Sequence, residues 1–274
     1  IAGERQVAVD LEGFEQALDR QRERSRAAQV GQPGLATAVS DDEGWQEVRS
    51  GAQTFVGYQR TEANTRILAF RSVAGRTELV VEDNPFYLES GGQVSDLGVV
   101  RGKGWQLAVD TVRKSARGTV VSGVAVDGFD PGDVDAVVDA DRRRNIERNH
   151  SATHLVHWAL RKHLGTHVKQ QGSLVEPGRL RFDFSHHGPI GPAELEAIER
   201  GVNELAWSNA PVSVEDMPLP DALALGAMAF FADKYGDRVR VVRMGPSIEL
   251  CGGTHVGSTG ALGMFRLAGQ GGVA

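Results

Sequence analysis

Arg142-Arg143-Arg144-Asn145-Ile146-Glu147-Arg148-Asn149-His150-Ser151-Ala152-Thr153-His154-Leu155-Val156-His157-Trp158-Ala159-Leu160-Arg161-Lys162-His163-Leu164 separates two kinds of sequence. At roughly 100° per residue, His154 falls near 40° from His150, His157 near −20° and Arg161 near 20°. Ala152, Leu155, Val156, Ala159 and Leu160 gather on the other side. The spacing therefore predicts a long helix, closed by Gly165, that buries one side and turns a histidine stripe toward a cleft. Upstream, from about Val48 to Asp139, the chain breaks into short β-rich runs. These are Thr54–Tyr58, Arg66–Phe70, Glu78–Val81, Trp105–Val109, Thr119–Ser122 and Ala136–Val138, punctuated by glycine. Runs of this length without strong helices between them predict a small antiparallel β-barrel.

Downstream the signals mix. Strand runs are expected at Ser173–Val175, Leu180–Phe184 and Arg238–Val242, a helix opening at Pro192 that buries Leu195, Ile198, Val202 and Leu205, and another over Asp221–Tyr235. Leu11–Gln29 reads as an exposed N-terminal helix ended by Gly31-Gln32-Pro33-Gly34. The expected fold is α+β, in three parts: a helical segment over 1–34, a barrel over 35–140, and an α+β part over 141–274.

The 274 residues carry a formal net charge of −6 and a single cysteine. Ordinary apolar and charged fractions exclude wholesale disorder. No apolar run has the roughly 18 residues of a membrane helix. One cysteine excludes an internal disulfide framework and suits a reducing, cytoplasmic location. The chain starts without Met, so a piece of a longer protein is expected. Charge is uneven: Arg142, Arg143, Arg144, Arg148, Arg161, Lys162 and Lys169 face only Asp141 and Glu147 between residues 141 and 170. Such a strip either contacts phosphates or is a solvated helix face. Trp158 and Trp207 read as core side chains.

His150 and His154, four apart on a helix, can reach a single ion. Alone they are weak evidence. Cys251 and His255, also four apart in Glu249-Leu250-Cys251-Gly252-Gly253-Thr254-His255, complete a thiolate-plus-imidazole set suited to zinc, with His157 in reserve. The other reading of Cys251, a small buried hydrophobe, fits poorly with its glycine flanks. With four protein ligands zinc has no open position, so the metal either shapes the pocket or gives up or adds a ligand.

His150-Ser151-Ala152-Thr153-His154 followed by Cys251-Gly252-Gly253-Thr254-His255 resembles the editing domain of alanyl-tRNA synthetase, and also the free-standing alanyl-tRNA editing proteins. Asn84–Gln93, Gly165–Ser173, Leu180–Phe184, Ala227–Phe231 and Val242–Gly245 support the resemblance over roughly residues 50 to 270. It implies a translation-factor-like barrel and a zinc-containing editing domain that hydrolyses seryl- or glycyl-tRNA for alanine. It also implies covalent membership of a larger synthetase, with the ATP-dependent aminoacylation module outside this chain. The threonyl-type editing domain shares the zinc half, and a non-catalytic tRNA-binding module stabilised by zinc is the reading from another class. The resemblance places Gln170 in the pocket as a substrate-positioning amide, where without it the residue reads as a surface side chain beside Gln171; Thr153 either partners the serine hydroxyl or bonds its own helix backbone. A pocket built to pair that hydroxyl rejects alanine by leaving groups unpaired, at roughly 1–3 kcal/mol each. The tRNA CCA end and acceptor stem would lie along the basic residues 142–148, 161, 162 and 169. Asp183, between Phe182 and Phe184, is either a cleft carboxylate or a partner of Arg181. The Ser90-Gly91-Gly92-Gln93 turn reads as a structural bend.

Overall fold

Strand Glu62–Val73 sets the architecture of the first half: its side chains alternate between exposed and buried from Glu62 to Ile67, as a pleat with one wet face requires, and Ile67, Leu68 and Ala69 are then buried in succession where the pairing register shifts. In the computed structural model, residues 43–124, 128–229 and 236–272 are described. The expected helix over Leu11–Gln29, and with it the 1–34 segment, lies outside them. The strands up to Val138 are β1 (Gln46–Glu47), β2 (Thr54–Phe55), β3 (Glu62–Val73), β4 (Arg76–Val81), β5 (Asp83–Asn84), β6 (Gly98–Gly102), β7 (Trp105–Val109), β8 (Thr111–Ser115), β9 (Gly118–Gly123) and β10 (Asp133–Val138). All six expected runs contain a strand. Four strands are additional: β1, β5, β6 and β8.

The main sheet runs β7-β6-β10-β3-β4-β9-β8, with β1 on β3. It is antiparallel throughout and curls into a half-barrel around Ile67, Leu79, Val81, Val100, Leu107, Val121, Val134 and Val138. The expected barrel is thus corrected in one respect: the ladder path stays open between its end strands, β7 and β8. These two are joined in sequence through Asp110, so the sheet folds back on itself at that corner. The corner is tight. A Cβ on Gly123 of β9 would lie 1.8 Å from the Ala108 carbonyl of β7, which only glycine permits.

Helix α1 spans Ala140–Leu164, with the Asp139 carboxylate accepting from the Arg142 amide at its N-terminus. It is longer by two residues than the expected Arg142–Leu164. The hairpin β11 (Gln170–Val175) and β12 (Leu180–Phe184) follows, then α2 (Pro192–Trp207), β13 (Val212–Pro218), α3 (Leu219–Ala224), β14 (Arg238–Met244) and β15 (Ser247–Leu250). Helix α2 opens at Pro192 as expected and buries Ile198, Val202 and Ala206. A second core joins Leu155, Val156, Ala159 and Leu160 of α1 to Ile198, Val202, Val242 and Met244. The helix expected over Asp221–Tyr235 is shorter among the described residues, because Gly226 at φ 78° turns the chain after Ala224; Phe230–Tyr235 lie outside them. Trp207 is a second correction: it is 72% exposed, lying roughly 140° around α2 from Val202. Trp158 packs against the second core as read. No helix among the described residues is long and apolar enough to cross a membrane.

Candidate metal centre and cleft

Helix α1 is covered on both sides, which changes the expected role of its histidine stripe. His150, His154 and His157 are buried, because β15 and the loop that follows it pack over them; they do not line an open cleft. The loop brings Cys251 and His255 to the helix. Ligand atoms of His150, His154, Cys251 and His255 all lie within 4.8 Å of one another. The Cys251 Sγ is 3.4 Å from the Nε2 of His150 and 3.4 Å from that of His255. Two pairs, roughly a hundred residues apart in sequence, thus form one cluster able to hold a metal ion.

Each imidazole is oriented from behind. His150 Nδ1 donates to the Gln93 Oε1 at 2.6 Å. His154 Nδ1 is 2.8 Å from Glu249 Oε2, and His255 Nδ1 meets the Ser151 hydroxyl at 3.3 Å. Holding Nδ1 this way leaves Nε2 lone pairs for an ion, the usual arrangement around ligating histidines. His157 is not a reserve ligand but a second donor to Glu249, at 3.0 Å. Gly253 forms part of the cradle: a Cβ there would stand 2.0 Å from His150 Cε1. The donor set, the fixed tautomers and this close approach all fit a bound ion.

The loop carbonyls are clamped from two sides. Arg240 Nη1 donates to the carbonyls of Cys251 (2.8 Å) and Gly253 (2.9 Å). Tyr58, from the half-barrel, donates to the Gly252 carbonyl at 2.6 Å, with the Arg240 guanidinium 4.2 Å from its ring centroid.

Gln93 is fully buried, and it too comes from the half-barrel. It accepts from His150 and from the Thr254 amide at 3.0 Å, and its Nε2 donates to the Thr254 hydroxyl at 2.9 Å. The Ser90–Gln93 turn is structural in its glycines, which take φ 61° and 89°. Its glutamine, however, is a partner of the cluster, beyond the bend expected from sequence.

Burial alone would push the Cys251 thiol up, but His150, His255 and His154 overcome it and hold it well below its ordinary value. Burial would lower His154, yet Glu249 and the sulfur raise it to about 10. Glu249 is held down at about 2, His154 overcoming the opposite pull of burial. His255 falls to about 3 through burial and the neighbouring His150. A bound cation would displace the His154 proton and take over its role beside the thiolate. Glu249→Gln should therefore weaken metal binding by about 10–100-fold, as loss of an outer partner generally does. Competition against a chromophoric chelator measures it; unchanged affinity would refute the assignment of Glu249.

The other expected residues are placed as follows. Gln170, in β11, donates to the Ser173 hydroxyl at 3.1 Å, which in turn donates to the Gly91 carbonyl. Thr153 is buried and donates to the Asn149 carbonyl of its own helix at 2.8 Å. Asp183 pairs with Arg181 at 3.1 Å. Arg143 is a correction to the basic strip. It is 1% exposed, with its guanidinium on Asp96 and the carbonyls of Gly57 (2.7 Å) and Pro85 (3.0 Å). It fastens α1 to the half-barrel and presents no charge for a phosphate. Arg142 donates to the Ser95 carbonyl and Arg161 to those of Thr166 and Val168. Arg144, Arg148, Lys162 and Lys169 are exposed, although Arg144 pairs with Asp141, Arg148 donates to the Ala261 carbonyl and Lys162 lies over the Trp158 ring.

Beside His255 opens a cleft of about 170 Å³, with Tyr58, Glu147, Val212, Arg240 and Thr254 among its walls. Glu147, like Gln93 and Glu249, was not singled out by sequence reading, although it shares the face of His150 and His154.

Two family models match this chain: "tRNA synthetases class II (A)" over residues 1–142 and "Threonyl and Alanyl tRNA synthetase second additional domain" over residues 239–273. Among curated proteins, an alanine–tRNA ligase from Stenotrophomonas maltophilia is 46% identical over 292 residues, covering 100% of this chain and 32% of its own length. One from Chelativorans sp. is 44% identical over 298 residues, covering 99% of this chain and 33% of its own length. One from Salinibacter ruber is 45% identical over 284 residues, covering 100% and 29%. The chain thus spans about a third of the length of these relatives.

Proposed function

The chain belongs to the class II (A) tRNA synthetases, and from that membership and the four-ligand cluster we propose that it hydrolyses seryl- or glycyl-tRNA for alanine. The observation that carries this reading is the convergence of His150, His154, Cys251 and His255 next to a cleft, in a chain whose residues 239–273 match the threonyl and alanyl additional domain. These four residues would hold zinc, which when bound supplies positive charge beside the ester carbonyl. The named relatives are alanine–tRNA ligases, which favours the alanyl over the threonyl branch.

The protein's own groups do the sorting. Thr153, Gln170 and Asp183 are not among the residues that line the cleft beside His255; the Thr153 hydroxyl spends its proton on Asn149, so its lone pairs would be left to accept from a serine hydroxyl that reaches that face of the helix, which alanine lacks. Gln170 is assigned to position the aminoacyl group from the hairpin that abuts the Gly91–Gln93 turn, and Asp183 with Arg181 lies on the same hairpin. The exposed cations Arg144, Arg148, Lys162 and Lys169, with Arg142 and Arg161 beside them, would meet the acceptor-stem phosphates and CCA end.

The closed set of four ligands favours a second reading, in which zinc only braces a non-catalytic tRNA-binding module. Single-turnover deacylation separates the two. The zinc-loaded chain is expected to release serine from seryl-tRNA for alanine at least about tenfold faster than alanine from alanyl-tRNA, within the range one missed hydroxyl contact commands. Binding without hydrolysis would establish the bracing role instead.

A further inference from the structure

Glu147 lies one turn before His150 on α1, and four residues before Ser151, the partner of His255. Side chains three and four apart on a helix are neighbours, so the carboxyl sits at the edge of the metal cluster. Among the described residues it is also the sole carboxyl lining the cleft beside His255. It is 21% exposed, and its nearest cation, Arg143 Nη1, is 3.9 Å away. That guanidinium is already committed to Asp96 and two backbone carbonyls. Across the cleft, Arg240 is turned to the carbonyls of Cys251 and Gly253. Glu147 thus faces the cleft as a carboxyl that no donor among the described residues satisfies within hydrogen-bonding distance.

Burial pushes Glu147 up to about 7, with Arg143 opposing and Asp96 adding to the rise. A carboxyl in that state gains its charge when a cation enters beside it. The other walls carry Tyr58, Thr254, His255, Gly257, valines and Arg240, whose guanidinium is held by the Cys251 and Gly253 carbonyls and the Tyr58 ring rather than by Glu147.

The geometry points to Glu147 as the receptor for the primary α-ammonium of an aminoacyl ester bound in this cleft. This assignment rests on the hydrolytic reading above and narrows its substrate class to esters whose amino group is free. N-acylated and peptidyl esters carry no ammonium and would leave the carboxyl without a partner.

Calorimetric titration of the zinc-loaded chain with 3′-deoxy-3′-(L-serylamino)adenosine, an amide-linked stable analogue, and with its N-acetyl derivative tests this. The wild-type protein is expected to prefer the free amine by about tenfold or more, the usual scale for a charge-assisted hydrogen bond. Glu147→Gln, close in shape, should abolish that preference while zinc content and affinity for the acetyl derivative stay the same. The inference is overturned if the wild type binds the two analogues equally or binds neither, if the variant keeps the preference, or if it loses affinity for both analogues alike. Seryl-tRNA hydrolysis measured on the same preparations tests the hydrolytic reading separately: a preference without turnover would keep Glu147 as an ammonium site and sink the hydrolase.

Discussion

Cys251→Ala is expected to empty the metal cluster, with bound zinc falling from about one per chain to near zero. Sγ is the atom on which His150 and His255 both converge, at 3.4 Å each. Without it three imidazoles remain, and a soft cation loses its thiolate. Affinity should drop by more than the about 10–100-fold that follows loss of an outer partner, and deacylation should drop with it. The effect should be regional. The half-barrel core of Ile67, Leu107 and Val134 contains no ligand, so its amides should keep their protection from hydrogen exchange. The loop from Cys251 to Val256 and the Ser151 turn of α1 should lose theirs. Metal analysis after gel filtration, with exchange on the same sample, decides; a variant that keeps stoichiometric zinc would refute the four-ligand assignment.

The second large effect concerns the fastening between the halves. Arg143 and Asp96 are each 1% exposed, and removing one partner of such a pair leaves a buried charge uncompensated, at about 3–5 kcal/mol. Arg143→Met should cost that much in urea unfolding. Asp96 has a further duty, accepting from the Tyr87 amide at 2.7 Å, so the fair double variant is Arg143→Met with Asp96→Asn, which preserves that bond. The pair should recover most of the loss, since replacing both members is often close to neutral. A single-variant cost below about 1 kcal/mol would mean that water reaches the pair and that it is not buried in solution.

Much of this was legible in the sequence, for identifiable reasons. Helix α1 showed through its period, and the cluster of His150, His154, Cys251 and His255 through two pairs at helix-turn spacing around the lone cysteine. Glu249 was within reach of the same logic: alternation in Glu249-Leu250-Cys251 places residues 249 and 251 on one side of an extended chain. Arg143 stands seven residues before His150, roughly 20° around the helix, so its burial beneath the half-barrel could be anticipated from the wheel. Counting charge in a window hides this, because net charge carries no direction. Gln93 gave no comparable signal, since a hydrogen bond spanning 57 residues to His150 leaves no local periodicity. Strand β13 escaped because it is a mostly exposed edge, with Glu215 and Asp216 where a buried strand would carry apolar side chains.

The contact between Gln93 and Thr254 also bears on how the chain acquires its form during synthesis. The two residues are 161 apart, and at a ribosomal pace of about 5–20 residues per second the glutamine waits on the order of ten seconds for its partner to emerge. The half-barrel can be complete by then, with His150 already presented on its flank. The cysteine reaches the exit late, beside imidazoles already in place, so an ion captured early can template the closing loop.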